Sequence, residues 1–177
     1  MTVEALKARI PDYARDIRLN LSSVLASTHL TPRQAWGAAL ASAIAARNGD
    51  LVRAITADAQ AHLTPEEANA ARASAAIMGM NNVYYRFVHL AGNKDYGSMP
   101  ARLRMNVLAN PGVDKVDFEL WSLAVSAVNG CGLCIEAHER ELLEKGASRD
   151  MIQDAVRIAA VVHAAAVTLD AEASSPP

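Results

Sequence analysis

Apolar residues recur along the chain at spacings of three and four, and no strand-like alternation runs through it, so the pattern predicts helices throughout. Thr2 opens a short helix through Arg9, stopped before Pro11, with Glu4 in the first turn where an acid suits the helix N-terminus. Asp12 to Leu25 reads as a second helix whose Tyr13, Ile17, Leu21, Val24 and Leu25 form one apolar face. Thr31-Pro32 is a strong start signal, the threonine as N-cap and the proline at the first helical position. That helix carries Trp36, Leu40 and Ile44 and ends near Asn48-Gly49. Asp50 begins the next, with Leu51, Ile55 and Ala59 inward.

Thr64-Pro65-Glu66-Glu67 repeats the cap signal, with Glu67 at the capping-box position. The helix it opens reaches Met80, and Asn81-Asn82 either interrupts it or lies within it. Gly92 to Pro100 reads as the longest loop, and Arg102 to Leu108 as a short helix before Asn110-Pro111-Gly112. Asp114 caps a helix from Lys115 to Val128, which Asn129-Gly130 terminates. Cys131 to Lys145 forms the next, ended by Gly146. Ser148 caps a final long helix through about Leu169, and Ala173 to Pro177 reads as a frayed tail.

A weak repeat runs through this series. Trp36 and Trp121 each open an alanine-rich helix, and Thr64 and Ser148 each cap another at nearly the same offset. The expectation is an all-α chain of about eight to ten helices, one domain over 1–177 built from two copies of a helical unit, near 31–85 and 114–170. Composition agrees: 51% of residues are apolar and only 5% aromatic, material for closely packed helices. The net charge of −2, with both signs scattered, gives no basic stripe for nucleic acid. Glu4, Lys7 and Arg9 break any apolar run at the start, so no signal peptide is expected there. Charged and polar residues break the alanine-rich runs, so no membrane span is expected either. The chain reads as cytoplasmic.

The chemistry concentrates in Cys131-Gly132-Leu133-Cys134-Ile135-Glu136-Ala137-His138, read with Glu119 in the preceding helix. These are the only two cysteines, and in a cytosolic chain a CxxC spacing points to redox work or to half a metal site. Folding the two helices back at Asn129-Gly130 brings Glu119 and His138 roughly level, since both arms rise ~1.5 Å per residue. Cys134 and His138, four apart, share a face. Glu119, Ser122 and Ser126 form a polar stripe, and facing it toward the cysteine helix would give each member a partner. The geometry permits a relay from Glu119 through His138 to Cys134. A thiolate attacks peroxides and disulfides. A histidine that accepts its proton activates it, and a carboxylate fixes the histidine's tautomer. A sulfenic acid formed on one cysteine can condense with a second thiol three residues away.

Other readings of the same residues stay open. The cysteine pair could be structural, or could join His138 in a zinc site. Glu119 could be exposed. His29, His62, His89 and His163 take structural readings, and Asn81 and Asn82 are buried or interfacial with no catalytic role.

At these residues the chain resembles the alkyl hydroperoxide reductase D family, within the broader carboxymuconolactone decarboxylase-like fold. The resemblance covers nearly the whole chain. It includes Asp12-Tyr13-Ala14 with Leu19-Asn20-Leu21, the stretch Ala76-Ile77-Met78-Gly79-Met80-Asn81-Asn82-Val83-Tyr84-Tyr85-Arg86, and Arg104-Met105-Asn106. It continues through Asn110-Pro111-Gly112, Phe118-Glu119-Leu120-Trp121, and Cys131 to Glu139. It implies a duplicated helical unit assembled as a homotrimer. It implies a weak thiol peroxidase, with no tightly bound cofactor, that also passes electrons to a partner peroxiredoxin, the C component. The electrons come from NADH through dihydrolipoamide dehydrogenase and the dihydrolipoyl groups of an acyltransferase subunit. Glu119, Cys131, Cys134 and His138 match the family's working residues. Some members place a histidine immediately before the second cysteine, where this chain has Leu133.

The expected mechanism has Cys134 attack an alkyl hydroperoxide, Cys131 resolve it into a Cys131–Cys134 disulfide, and dihydrolipoyl groups reopen that bond. Cys131, nearer the helix end, is the sulfur expected to meet protein partners. The alternatives are a disulfide electron carrier with negligible peroxide chemistry and a decarboxylase of the broader fold, for which two thiols have no evident use.

Overall fold

The computed structural model describes residues 1–174. Among these residues there are ten α-helices, one 3-10 turn and no strand. In chain order they are α1 (Val3–Lys7), the 3-10 turn Asp12–Ala14, α2 (Arg15–Leu25), α3 (Pro32–Ala46), α4 (Gly49–Ala59) and α5 (Pro65–Leu90). Then follow α6 (Asp95–Ser98), α7 (Asn106–Ala109), α8 (Lys115–Asn129), α9 (Gly132–Glu144) and α10 (Arg149–Ser174).

The caps behave as their residue types dictate. Thr31 and Thr64 each accept from the backbone N–H three residues on, and Gln34 and Glu67 reach back to complete capping boxes. Asp114 accepts from the N–H groups of Val116 and Asp117, and Ser148 from that of Met151. The runs α3, α4, α5 and α8, α9, α10 have similar lengths: 15, 11 and 26 residues against 15, 13 and 26.

Several expected boundaries shift. The helix read from Asp12 starts as a 3-10 turn, and Tyr13 stands outside the apolar face: its ring is exposed and its hydroxyl donates to Glu172 at 2.8 Å. Helix α4 begins at Gly49, one residue before the expected Asp50, with Asn48 as its cap, because Arg47 takes a left-handed conformation that ends α3 at Ala46. Asn81 and Asn82 lie inside a continuous α5. The Gly92–Pro100 stretch contains the one-turn α6. Only Asn106–Ala109 of the next segment is helical, since Arg102 at φ 53° lies outside right-handed helical space. Ala173 and Ser174, expected to fray, belong to α10, and the rest of that tail lies outside the described residues.

Helix α8 is the axis of the fold. Every residue from Asp117 to Ser126 is buried, and the helix packs on α3, α5, α9 and α10. Small residues allow the close approach. At Gly37 of α3 an added Cβ would fall 2.2 Å from the Trp121 ring, so the indole lies directly on the α3 backbone. Its N–H donates to the Gln34 carbonyl at 3.2 Å. Helix α10 is long and apolar enough by composition to cross a bilayer. Here its Ile158, Val162, Ala165, Ala166 and Leu169 are buried in the shared core.

Candidate functional site

The turn between α8 and α9 sets the position of both cysteines. Gly130 adopts φ 66°, which a Cβ would oppose. The N–H of Cys131 bonds the Ser126 carbonyl at 3.1 Å, and that of Gly130 bonds Ala127 at 3.2 Å. This paired closure satisfies two of the last carbonyls of α8. Cys131 is at once the residue that finishes α8 and the N-cap of α9, where its sulfur accepts from the Cys134 N–H at 3.3 Å. The two sulfurs are joined in a disulfide, so the structure is the oxidised state of the pair.

The two cysteines are not equally placed. Cys131 is fully enclosed, at 0% exposure, whereas Cys134 is 6% exposed and lines a pocket of about 300 Å³. Met78, Asn81, Leu133 and His138 line the same pocket. Cys131, the sulfur expected to meet partners, is thus the more enclosed of the two. The turn that puts Cys131 at the helix end also folds it inward beneath α8, and Cys134, one turn on, faces the opening.

Glu119 and His138 meet as their spacing implies. Glu119 Oε2 and His138 Nδ1 are 2.6 Å apart, both side chains nearly buried, so the exposed reading of Glu119 does not hold. The other imidazole nitrogen, Nε2, lies 3.2 Å from the sulfur of Met78 on α5. Nδ1–H donating to the carboxylate leaves Nε2 as the nitrogen free to exchange a proton beside the pocket, an assignment made from the hydrogen-bond partners.

The rest of the α8 polar stripe does not face α9. Ser122 pairs with Ser74 at 3.1 Å, and Ser126 accepts from Asn82 at 2.9 Å, both partners on α5. Asn82 in turn accepts from Asn129 at 2.9 Å, and Arg86 donates to the Asn129 carbonyl at 2.6 Å. Helix α5 lies along the groove between α8 and α9, so it takes the serines and leaves only Glu119 to the cysteine helix. Sequence reasoning missed Met78 as a neighbour of His138. No local signal marked it, because the contact joins helices 60 positions apart in the chain.

Two further polar clusters hold the frame. Ser27 Oγ donates to Asp154 at 2.5 Å, and His29 Nδ1 lies 2.9 Å from the same carboxylate oxygen. Arg157 donates to its other oxygen at 2.6 Å. Serine and histidine both turn to the aspartate rather than to each other, so this is a staple between the α2–α3 loop and α10, not a nucleophile triad. Burial raises the Asp154 carboxyl, but the hydrogen bonds from Ser27, His29 and Arg157 outweigh it and hold the group below the ordinary carboxylate range. Asp117 behaves oppositely. Burial pushes it up, against the hydrogen bond from Gln34 at 2.8 Å and the Arg33 Nε 2.6 Å away. Among the other histidines, His62 stacks on Trp36 with ring centres 4.8 Å apart, and His163 is exposed.

Comparison with known proteins supplies the family. Residues 94–173 match the carboxymuconolactone decarboxylase family, a span that holds Glu119, both cysteines and His138. A protein of Rhodospirillum centenum named alkyl hydroperoxide reductase AhpD is 68% identical over 98% of this chain and 94% of its own length. Proteins of the same name from Rhodopseudomonas palustris and Brucella canis are 59% and 57% identical, over 99% and 97% of this chain and 97% and 98% of theirs. Identity at this level along nearly the full length of both partners leaves one conclusion: the chain belongs to the alkyl hydroperoxide reductase AhpD family.

Proposed function

We propose that the protein reduces alkyl hydroperoxides through its Cys131–Cys134 pair, with Glu119 and His138 as the proton relay. The observation that carries this reading is the Glu119–His138 hydrogen bond, whose imidazole lines the same pocket as Cys134. In the reduced state the Cys134 thiol gives its proton to His138, whose cationic form Glu119 stabilises. The thiolate then bonds the terminal peroxide oxygen, the O–O bond breaks, and the departing alkoxide takes the proton from His138. Cys134 is left as a sulfenic acid. The Cys131 thiol attacks that sulfur, water leaves, and the disulfide closes. Enclosure suits Cys131 to this resolving role, and the pocket suits Cys134 to the first attack.

Dihydrolipoyl groups of an acyltransferase subunit, supplied ultimately by NADH, reopen the disulfide by exchange, and the protein also passes electrons to a peroxiredoxin. It acts in the cytoplasm as a homotrimer with no tightly bound cofactor. The supply chain, the compartment and the number of subunits rest on the resemblance. For an assembly of some kind there is also an exposed apolar row on α5: Val83, Phe87 and Leu90 recur at helical spacing, with Met99 exposed in the loop beyond. Sedimentation of the wild-type chain beside Phe87→Glu tests this, and a wild-type monomer would remove the trimer.

The deciding experiment mixes pre-reduced protein with a small excess of an organic hydroperoxide and follows free thiols. Fast loss of both thiols, reversed by dihydrolipoamide, is expected. No loss, with thiols still reactive toward an oxidised peroxiredoxin, would make the protein an electron carrier instead.

A further inference from the structure

One polar atom at the pocket has no protein partner. Asn81 is 4% exposed and lines the space shared by Cys134 and His138, yet its carboxamide oxygen accepts no hydrogen bond among the described residues. Its neighbour Asn82 shows the contrast, with its amide donating to Ser126 and its oxygen accepting from Asn129. Other atoms without a well-directed hydrogen bond have other accounts. Arg33 Nε and Asp117 Oδ2 face each other as an ion pair, and Ser42 lies in the α3 core away from any described pocket. A buried acceptor left without a donor is costly, so an orphan carbonyl at a pocket calls for an occupant that donates to it.

The pocket specifies what that occupant is. Beside Asn81 stand the sulfur-bearing Cys134 and the imidazole of His138, and the remaining wall is largely apolar, with Met105, Leu108 and Leu133, although Glu136 and Arg140 of α9 also border it. A molecule that fits has an O–H donor at one end and a hydrocarbon body at the other. An alkyl hydroperoxide is such a molecule.

We propose that Asn81 anchors the hydroperoxide: its side-chain oxygen accepts the O–O–H proton's hydrogen bond and so holds the terminal oxygen toward Cys134, while Leu108 and Leu133 take the alkyl group. This rests on the peroxidase reading above and assigns a residue to substrate binding within it. Asn81 exchanges no proton or electron. It fixes the approach of the atom that the Cys134 thiolate attacks, and orientation of this kind lowers the barrier without changing the chemistry.

The test separates peroxide attack from disulfide reopening. Reduced wild type, Asn81→Leu and Asn81→Ala are mixed with cumene hydroperoxide and with hydrogen peroxide, and thiol loss is followed by stopped flow. The oxidised forms are mixed with dihydrolipoamide, and circular dichroism melts check the fold. Both variants are expected to lose roughly tenfold in the second-order rate with both peroxides, the size of one neutral hydrogen bond, because both peroxides present the same O–O–H group. Reopening by dihydrolipoamide stays within about twofold of wild type on the same ground. Unchanged peroxide rates, or equal losses in peroxide attack and in reopening, would overturn the assignment. A wild-type protein inert to both peroxides would instead overturn the peroxidase reading, and the anchor with it.

Discussion

Glu119 Oε2 and His138 Nδ1 lie 2.6 Å apart although 19 positions separate them in the chain. The pair bridges the α8–α9 hairpin and fixes which imidazole nitrogen is left to work at the pocket. Replacing Glu119 by Gln keeps the volume and an acceptor for Nδ1–H but removes the charge that favours the imidazolium. Thiol loss with an organic hydroperoxide is therefore expected to slow by about 10²-fold, within the range of general acid–base assistance. Stopped-flow kinetics on Glu119→Gln measures it, and an unchanged rate in a folded variant would remove the relay.

The unequal burial of the cysteines leads to a second expectation. With Cys131→Ser, peroxide still meets Cys134, and a sulfenic acid should persist because no thiol resolves it. With Cys134→Ser, the remaining thiol is enclosed, and the first step should be lost. Dimedone trapping followed by mass spectrometry distinguishes the two. A stable sulfenic acid on Cys131 in the Cys134→Ser protein would reverse the assignment.

Much of this site was legible in local spacing. Glu119 and His138 meet because a helix advances by a fixed rise on each arm of a hairpin, and the Thr31, Thr64, Asp114 and Ser148 caps formed where their side chains could reach orphan N–H groups. Contacts set by distant packing were not legible. The Ser122 and Ser126 hydroxyls turn to α5, and Met78 reaches His138 across 60 positions, because the fold chooses which helix fills the groove beside α8. No periodicity in α8 states that choice. The same holds for Asn81 and Asn82. Adjacent residues on one helix turn to different neighbours, and only the three-dimensional packing tells which amide is satisfied and which is not.

Gly37 is expected to be intolerant of even one methyl group. An alanine Cβ would lie 2.2–2.4 Å from three atoms of the Trp121 ring, which is itself fully buried. Alanine favours a helix over glycine by about 1 kcal/mol, but overpacking of a closed core costs about 1–3 kcal/mol and more when the obstacle is a rigid ring. The clash wins, and Gly37→Ala should lower the melting temperature by several degrees, at roughly 2–4 °C per kcal/mol for a chain of this size. Thermal melts followed by circular dichroism decide it. A variant as stable as wild type would mean that the indole moves aside freely.

The Asp154 staple gives the stability a defined acid limit. Its carboxyl lies below the ordinary range in the folded chain, so the native state binds fewer protons than the unfolded state across that interval. Stability must then rise with pH there: the contribution is fully present above the unfolded value of about 4 and is lost as pH falls through the lower folded value. The hydrogen bonds from Ser27, His29 and Arg157 supply the effect, and the last two donors are about half exposed, so screening keeps the net near 1 kcal/mol. Asp154→Asn should lower the urea midpoint at pH 7 and differ less from wild type as the pH approaches 3. Parallel urea titrations at pH 7, 5 and 3 check the convergence. A difference that stays constant with pH would show that Asp154 acts through shape rather than charge.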